Sequence, residues 1–404
     1  MFILYPEAVY QWVKLHISLN FAFFHSPMKS HLLLLVLLFL LIGLYSCKQQ
    51  PPQKTSAGFN QFARGFHIIQ MGEITRLDVF NPWENARNFT YSYYLIPKSI
   101  AIPDSLAGRE IIRTPVEKVV LLSTTHIGFI EKLGFESSII GVSGKDFVTN
   151  PVVRKGIEQG LVHDVGYDQN LNYELLLQMK PDLVMAYGIG SDVASHLSKM
   201  KDLNIPVVIN AEYLEETPLG RAEWLIFTGS FYHQTEHSQM VFNKIVMEYD
   251  SLKNLVPSTS HKPLILTGLP YKDNWWVPGG KSYMANMIAD AGGDYLWKDN
   301  TSRESFVVSL ESAIVKATQA EMWINTGQTS SIQEILESDE RFKIIPSLQK
   351  KMVYNDNKKM NPTGGNEVWE TGAANPQHLL ADLIRIFHPE INPDTSFHYY
   401  KKLN

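Results

Sequence analysis

The segment Pro218 to Asn254 reads PLGRAEWLIFTGSFYHQTEHSQMVFNKIVMEYDSLKN, and it decides how the rest of the chain is divided. No proline follows its first residue, Thr217 is a helix-capping type, Pro218 suits a first turn and Pro257 lies just beyond the end. One long helix is therefore expected. At 1.5 Å per residue it would run on the order of 50 Å, more than a single small domain needs, which marks it as a spacer. Apolar residues at Ala222, Leu225, Ile226, Gly229, Tyr232, Val241, Phe242, Ile245, Val246, Tyr249 and Leu252 follow the i, i+3/i+4 rule and define one packed face, the other being polar.

On the amino-terminal side, Lys118 to Leu122, Ser138 to Val142, Asp182 to Ala186 and Pro206 to Ile209 are short apolar runs of the kind buried on both faces of a sheet. Helical patterns separate them at His126 to Leu133, Asn172 to Met179 and Ser191 to Met200. Strand, helix, strand in this order predicts right-handed crossovers and a mostly parallel sheet. Beyond the spacer the grammar repeats, with strands at Pro263 to Thr267, Met322 to Asn325 and Met352 to Tyr354, and helices at Lys281 to Ala291, Leu310 to Ala317, Ile332 to Ser338 and Pro376 to Phe387. Asn172-Tyr173-Glu174 answers Ser309-Leu310-Glu311, and His126 to Gly134 answers Tyr283 to Gly293. The fold class is α/β: two similar lobes joined by one helix, with a cleft between them.

A chain of 404 residues, 45% hydrophobic and 19% charged, can form two real cores. A formal charge of −5 without a basic stripe speaks against nucleic-acid binding. The single cysteine, Cys47, excludes an intramolecular disulfide. It follows Lys29, an apolar run from Leu32 to Gly43 and Leu44-Tyr45-Ser46, an arrangement that resembles a bacterial lipoprotein signal; the resemblance implies that Cys47 is lipidated. The expected organisation is an upstream extension at 1–27, with Met28 as the start, a signal at 28–46 and a tether at 47–62. An amino-terminal lobe at 63–216 leads with aromatic antiparallel strands between Gly65 and Ile96, followed by the linker at 217–256 and a carboxy-terminal lobe at 257–404.

VEKVVLLSTTHIGFIEKLG from Val116, NYELLLQMKPDLVMAYG from Asn172, WWVPGGKSYMANMIADAGG from Trp275, VVSLESAIVKATQAEMWINTG from Val307 and NPQHLLADLIRIFHPE from Asn375 resemble, in order and spacing, the periplasmic substrate-binding proteins of ABC importers for iron-siderophores, haem and cobalamin. The resemblance implies a metal chelate as ligand, no resident cofactor, no catalysis, and a monomer held by its lipid on the periplasmic side. It also implies a permease dimer in the inner membrane as partner, docked through Glu174 and Glu311. Each of these glutamates stands in a first helical turn, where it also complements the helix dipole.

Ligands of open α/β sheets bind beyond the carboxyl ends of the strands. The loops there carry Thr124, Thr125, His126, Tyr187, Tyr271, Trp275, Trp276 and Trp369, and aromatic residues suit a flat, apolar chelate. Arg303 is a candidate partner for an acidic ligand group. His126 is either a ligand to the metal of haem or cobalamin or a cap of its own helix.

His233-Gln234-Thr235-Glu236-His237 fits H-x-x-E-H, a zinc-peptidase pattern, and supplies the enzymatic alternative; a glycan or peptide binder is the other. Against zinc stands its position on the polar side of the spacer helix. Gly188-Ile189-Gly190 lacks the third glycine of a dinucleotide fingerprint, and Asn361 to Asn366 (NPTGGN) is expected to be a cleft-rim turn.

Overall fold

The computed structural model describes residues 60–167, 170–188, 193–256, 261–391 and 396–404. Cys47, the signal, the upstream extension and the tether as far as residue 59 lie outside them, as do Ile189 and Gly190.

The aromatic strands build a separate sheet. β1 (Phe66–Met71), β2 (Ile74–Phe80) and β3 (Thr90–Pro97) form an antiparallel meander, and β4 (Glu110–Thr114) joins β3 in parallel. Alternation along β1 buries Phe66 and Ile68. The Phe66 ring then meets Trp224 at 4.8 Å and Phe227 at 5.5 Å, which seats the sheet on the linker. The backbone entering β1 is held by two carboxylates. Glu223 accepts from the amides of Gln61, Phe62 and Ala63 at 2.6, 2.7 and 2.6 Å, and Glu215 accepts from Arg64 and Gly65. The stretch 60–62, expected as tether, thus belongs to the folded part.

The amino-terminal lobe has a five-stranded parallel sheet of β5 (Val119–Leu121), β6 (Ile139–Val142), β7 (His163–Asp164), β8 (Leu183–Ala186) and β9 (Val207–Ile209), in the order β7-β6-β5-β8-β9. Its helices are α1 (Thr125–Leu133), α2 (Pro151–Glu158), α3 (Tyr173–Met179) and α4 (Val193–Asp202). Every residue of β5 and β8 is buried, as continuous apolar runs predict.

The linker departs from the sequence reading. It is two helices, α5 (Pro218–Ser230) and α6 (Thr235–Lys253), separated by a turn in which His233 has a φ of 56°. Gly229 permits the turn: a Cβ there would lie 2.4 Å from Ser238 Oγ. In one straight helix those residues, nine apart, would be separated by about 13 Å, so the axis bends sharply. Thr217 does cap α5, its Oγ1 accepting from Gly220 N at 3.1 Å. Twelve of the thirteen residues of α5 are buried, the exception being Arg221, so it has no polar face and is a central core helix. Only α6 is amphipathic, turning Phe242, Ile245 and Tyr249 inward.

The carboxy-terminal lobe repeats the plan with β10 (Leu264–Thr267), β12 (Asp294–Tyr295), β14 (Met322–Ile324), β15 (Val353–Asn355) and β16 (Lys401–Lys402), ordered β12-β10-β14-β15-β16 and parallel except for the last. A ribbon of β11 (Asn274–Val277) and β13 (Phe306–Ser309) is inserted between β10 and the later strands. Its helices are α7 (Tyr283–Asp290), α8 (Leu310–Ala317), α9 (Ile332–Ser338), α10 (Pro346–Gln349), α11 (Glu367–Thr371) and α12 (Pro376–Phe387).

The lobes are strapped together beside the linker. Glu370 Oε2 accepts from Thr149 N at 2.7 Å, and the Asn361 side chain donates to the carbonyls of Asp146 and Val148 at 2.9 and 3.0 Å. Gly128 of α1 fits against α11 so closely that a Cβ would stand 2.3 Å from the Glu370 carbonyl oxygen.

Candidate ligand-binding site

A cavity of about 640 Å³ opens between the lobes, within the range of small-molecule sites. Its walls follow the carboxyl ends of the strands. Thr125 comes after β5, Tyr213 to Glu216 after β9, Thr267 at the end of β10, Asn325 after β14 and Asp356 after β15. The loop 361–366 contributes Gly364 and Asn366, as expected of a rim turn. At Gly268 (φ 77°) the chain leaves β10 in a left-handed conformation, which lets it pass beside the buried Trp275 indole.

Of the residues singled out from sequence, Thr125, Trp276, Arg303 and Trp369 line this cavity. Trp276 is 57% exposed and Trp369 66%, so two indoles present unburied surface to it. Thr124 and Tyr187 are half-buried outside the lining, and Tyr271 is exposed outside it.

Trp275 is a correction. It is fully buried, with its ring 5.6 Å from Trp323 and 5.8 Å from Phe342 and its indole N–H donating to the Thr267 carbonyl at 3.1 Å. The pair lies not in a loop but in β11, where alternation sends Trp275 inward and Trp276 outward. His126 is the second correction. It is fully buried, its Nε2 lies 3.8 Å from Glu212 Oε2, and it does not face the cavity.

The sequence reading missed Arg221, Tyr213, Tyr283, Met284, Glu84 and Asp356 in the walls. Arg221 Nη2 lies 3.6 Å from Glu212 Oε1, with its guanidinium 5.1 Å from the Tyr283 ring. Burial works to raise the Glu212 carboxyl, but His126 and Arg221 outweigh it and hold the group below its ordinary value. Tyr283 is pushed up to about 12 by burial, and Tyr213, raised by burial with Glu84 and Glu212 nearby, donates to the Gly188 carbonyl. Asp356 is pushed up to about 6 by burial. Looking past β9 and β15 for strand-end positions would have found Tyr213 and Asp356.

Glu174 and Glu311 are both exposed in first helical turns, on helices capped by Asn172 and Ser309. Arg341 Nη1 stands 3.7 Å from Glu311 Oε1. The HQTEH pattern does not form its expected face. His233 lies in the turn, its Nε2 2.6 Å from Thr114 Oγ1, while His237 is on α6. Among the described residues no group of three or more His, Cys, Asp or Glu side chains is arranged to hold a metal ion, and no helix is long and apolar enough to cross a membrane.

A family model described as periplasmic binding protein matches residues 119–360, from the first strand of the amino-terminal sheet to the cleft rim. An uncharacterized lipoprotein of Methanocaldococcus jannaschii is 26% identical over 304 residues, which cover 73% of this chain and 70% of its own. A possible iron-binding (periplasmic solute-binding) protein from Staphylococcus epidermidis superposes with a TM-score of 0.52 at 20% identity, over 68% of this chain and 100% of its own. The periplasmic heme-binding protein HutB of Vibrio cholerae superposes with a TM-score of 0.50 at 18% identity, over 65% of this chain and 98% of its own. These two share its fold. The two lobes, their order and the matched span together place the chain in the periplasmic binding protein family.

Proposed function

We propose that this chain is the capture component of an ABC importer, holding a metal chelate (an iron-siderophore, haem or cobalamin) and handing it to a permease dimer. The carrying observation is the 640 Å³ interlobe cavity into which Trp276 and Trp369 present exposed indoles. A flat or caged chelate covers aromatic area well, and covering a half-exposed indole contributes on the order of 2–3 kcal/mol. The folds shared with a possible iron-binding protein and a heme-binding protein support the same ligand class. In this reading Cys47 carries the lipid that keeps the protein, as a monomer, on the periplasmic side of the membrane. Glu174 and Glu311 meet cationic groups of the permease, one from each lobe. The straps at Glu370 and Asn361 hold the lobes in one relation, so the cleft works as a largely preformed site.

The test is a titration of tryptophan fluorescence with ferric siderophores, haem and cobalamin. Saturable quenching by one of them, weakened in Trp276→Ala, is the expected result. Absence of quenching by every chelate contradicts the proposal.

A further inference from the structure

The charges around the cleft discriminate among chelates, an inference that rests on the chelate-binding reading above. Among the described lining residues the acids are Glu84, Glu215, Glu216, Glu304 and Asp356, and the cations are Arg221 and Arg303. Each cation has a carboxylate nearby. Arg221 faces the buried Glu212, with Nη2 to Oε1 at 3.6 Å, and Arg303 Nε has Glu304 Oε1 at 4.0 Å. The Arg221 charge is offset by the buried Glu212, whereas Arg303 meets Glu304 only at the outer limit of an ion pair.

The acids divide differently. Glu215 is spent on structure, its carboxylate accepting from Arg64 N, Gly65 N and Trp224 Nε1. Asp356 is 7% exposed and sits where β15 ends at the cavity. Its own amide donates to Asn355 Oδ1 and its carbonyl accepts from Asn366 Nδ2, each at 3.1 Å, which fixes the residue in place. Among the described residues no other one donates a hydrogen bond to its carboxylate. A carboxylate this buried with no donor beyond its own amide is under-satisfied, and its place in the cavity wall lets a ligand supply the further donor. Burial already favours its protonated form, as expected of a group that lacks a partner. Glu84 and Glu216 add negative charge to the same cavity.

We infer that the cleft selects a chelate of net positive charge or one bearing a free ammonium group, with that group donated to the Asp356 carboxylate. Anionic chelates meet more carboxylates than cations in the described lining, so they are disfavoured.

The experiment titrates the full chain, by tryptophan fluorescence at neutral pH, with three probes. These are a ferric trihydroxamate carrying a free primary ammonium, the same chelate N-acetylated so that only the charge is lost, and an anionic ferric tricatecholate. The ammonium form is expected to bind at least about tenfold more tightly than its acetylated twin, the tricatecholate more weakly than both, and the tenfold margin to vanish in Asp356→Asn. Equal binding of the twins, tightest binding of the tricatecholate, or a margin that survives in Asp356→Asn overturns the inference and leaves the chelate reading standing. Failure of all three probes to bind overturns the inference, and the chelate reading falls with it only when haem and cobalamin also fail to quench. Should Asp356→Asn not fold, the wild-type ratio between the twins decides alone.

Discussion

Replacing Trp275 and Trp276 one at a time with alanine tests the reading of β11 as a strand that sorts two adjacent indoles. Trp275 is fully buried between Trp323 and Phe342, and its indole N–H is bonded to the Thr267 carbonyl. Deleting a buried ring of this size costs about 3–5 kcal/mol. Urea unfolding followed by circular dichroism should show the midpoint falling by more than about 1 M in Trp275→Ala. Trp276 is 57% exposed, so its removal should shift stability by no more than about 0.5 kcal/mol. Binding should respond the other way. Loss of the Trp276 contact removes about 2–3 kcal/mol, or roughly 50-fold in affinity, from a ligand that covers it. Two variants with similar stabilities and similar binding losses would refute the strand assignment and return both residues to a loop.

Further outcomes follow from single contacts. Gly229→Val should cost about 1–3 kcal/mol in the same unfolding assay, because its Cβ has no room beside Ser238; an unchanged midpoint would mean that the linker is straight there. Glu223→Ala strips the acceptor from three amides at residues 61–63 and should cost about 3–5 kcal/mol, with new protease cleavage near that segment; protection equal to wild type would count against the clamp. Burial, opposed only in part by the Thr149 amide, pushes Glu370 up to about 7 from 4.5. Its contribution to stability is complete below pH 4.5 and lost as pH rises through about 7, amounting to about 3 kcal/mol, with Asp356 adding a loss of the same sign through about 6. Glu370→Gln should therefore flatten the fall in unfolding midpoint between pH 5 and 8, and an unaltered slope would remove Glu370 from the account. Glu174→Lys with Glu311→Lys should abolish uptake and permease binding while chelate affinity stays unchanged; intact uptake would cancel the docking role.

Most of the fold was legible because its strands are apolar runs and its helices carry their own punctuation. Val119–Leu121, Leu183–Ala186 and Met322–Ile324 lie inside the runs read from sequence, and Asn172 and Ser309 cap the helices placed after them. The bend in the linker was not legible, since nothing in Phe231-Tyr232-His233-Gln234 forbids a helix. Tertiary contact made the turn there, through Ser238 closing on Gly229. In the site, half-exposed aromatics after strands were found, whereas Arg221 was hidden inside a helix taken to be a spacer and Asp356 in a short polar loop. Trp275 and His126 failed for the same reason: proximity in sequence to a strand end does not say which way a side chain turns. A period-2 reading of Asn274 to Val277 would have separated Trp275 from Trp276.

The measurement closest to the central claim is a crystal structure of this chain grown with the chelate that quenches its fluorescence most strongly. The account predicts one chelate per chain in the interlobe cavity, in contact with Trp276 and Trp369 and beside Asp356. A chelate bound elsewhere, or a cavity in which neither indole touches it, would contradict the account.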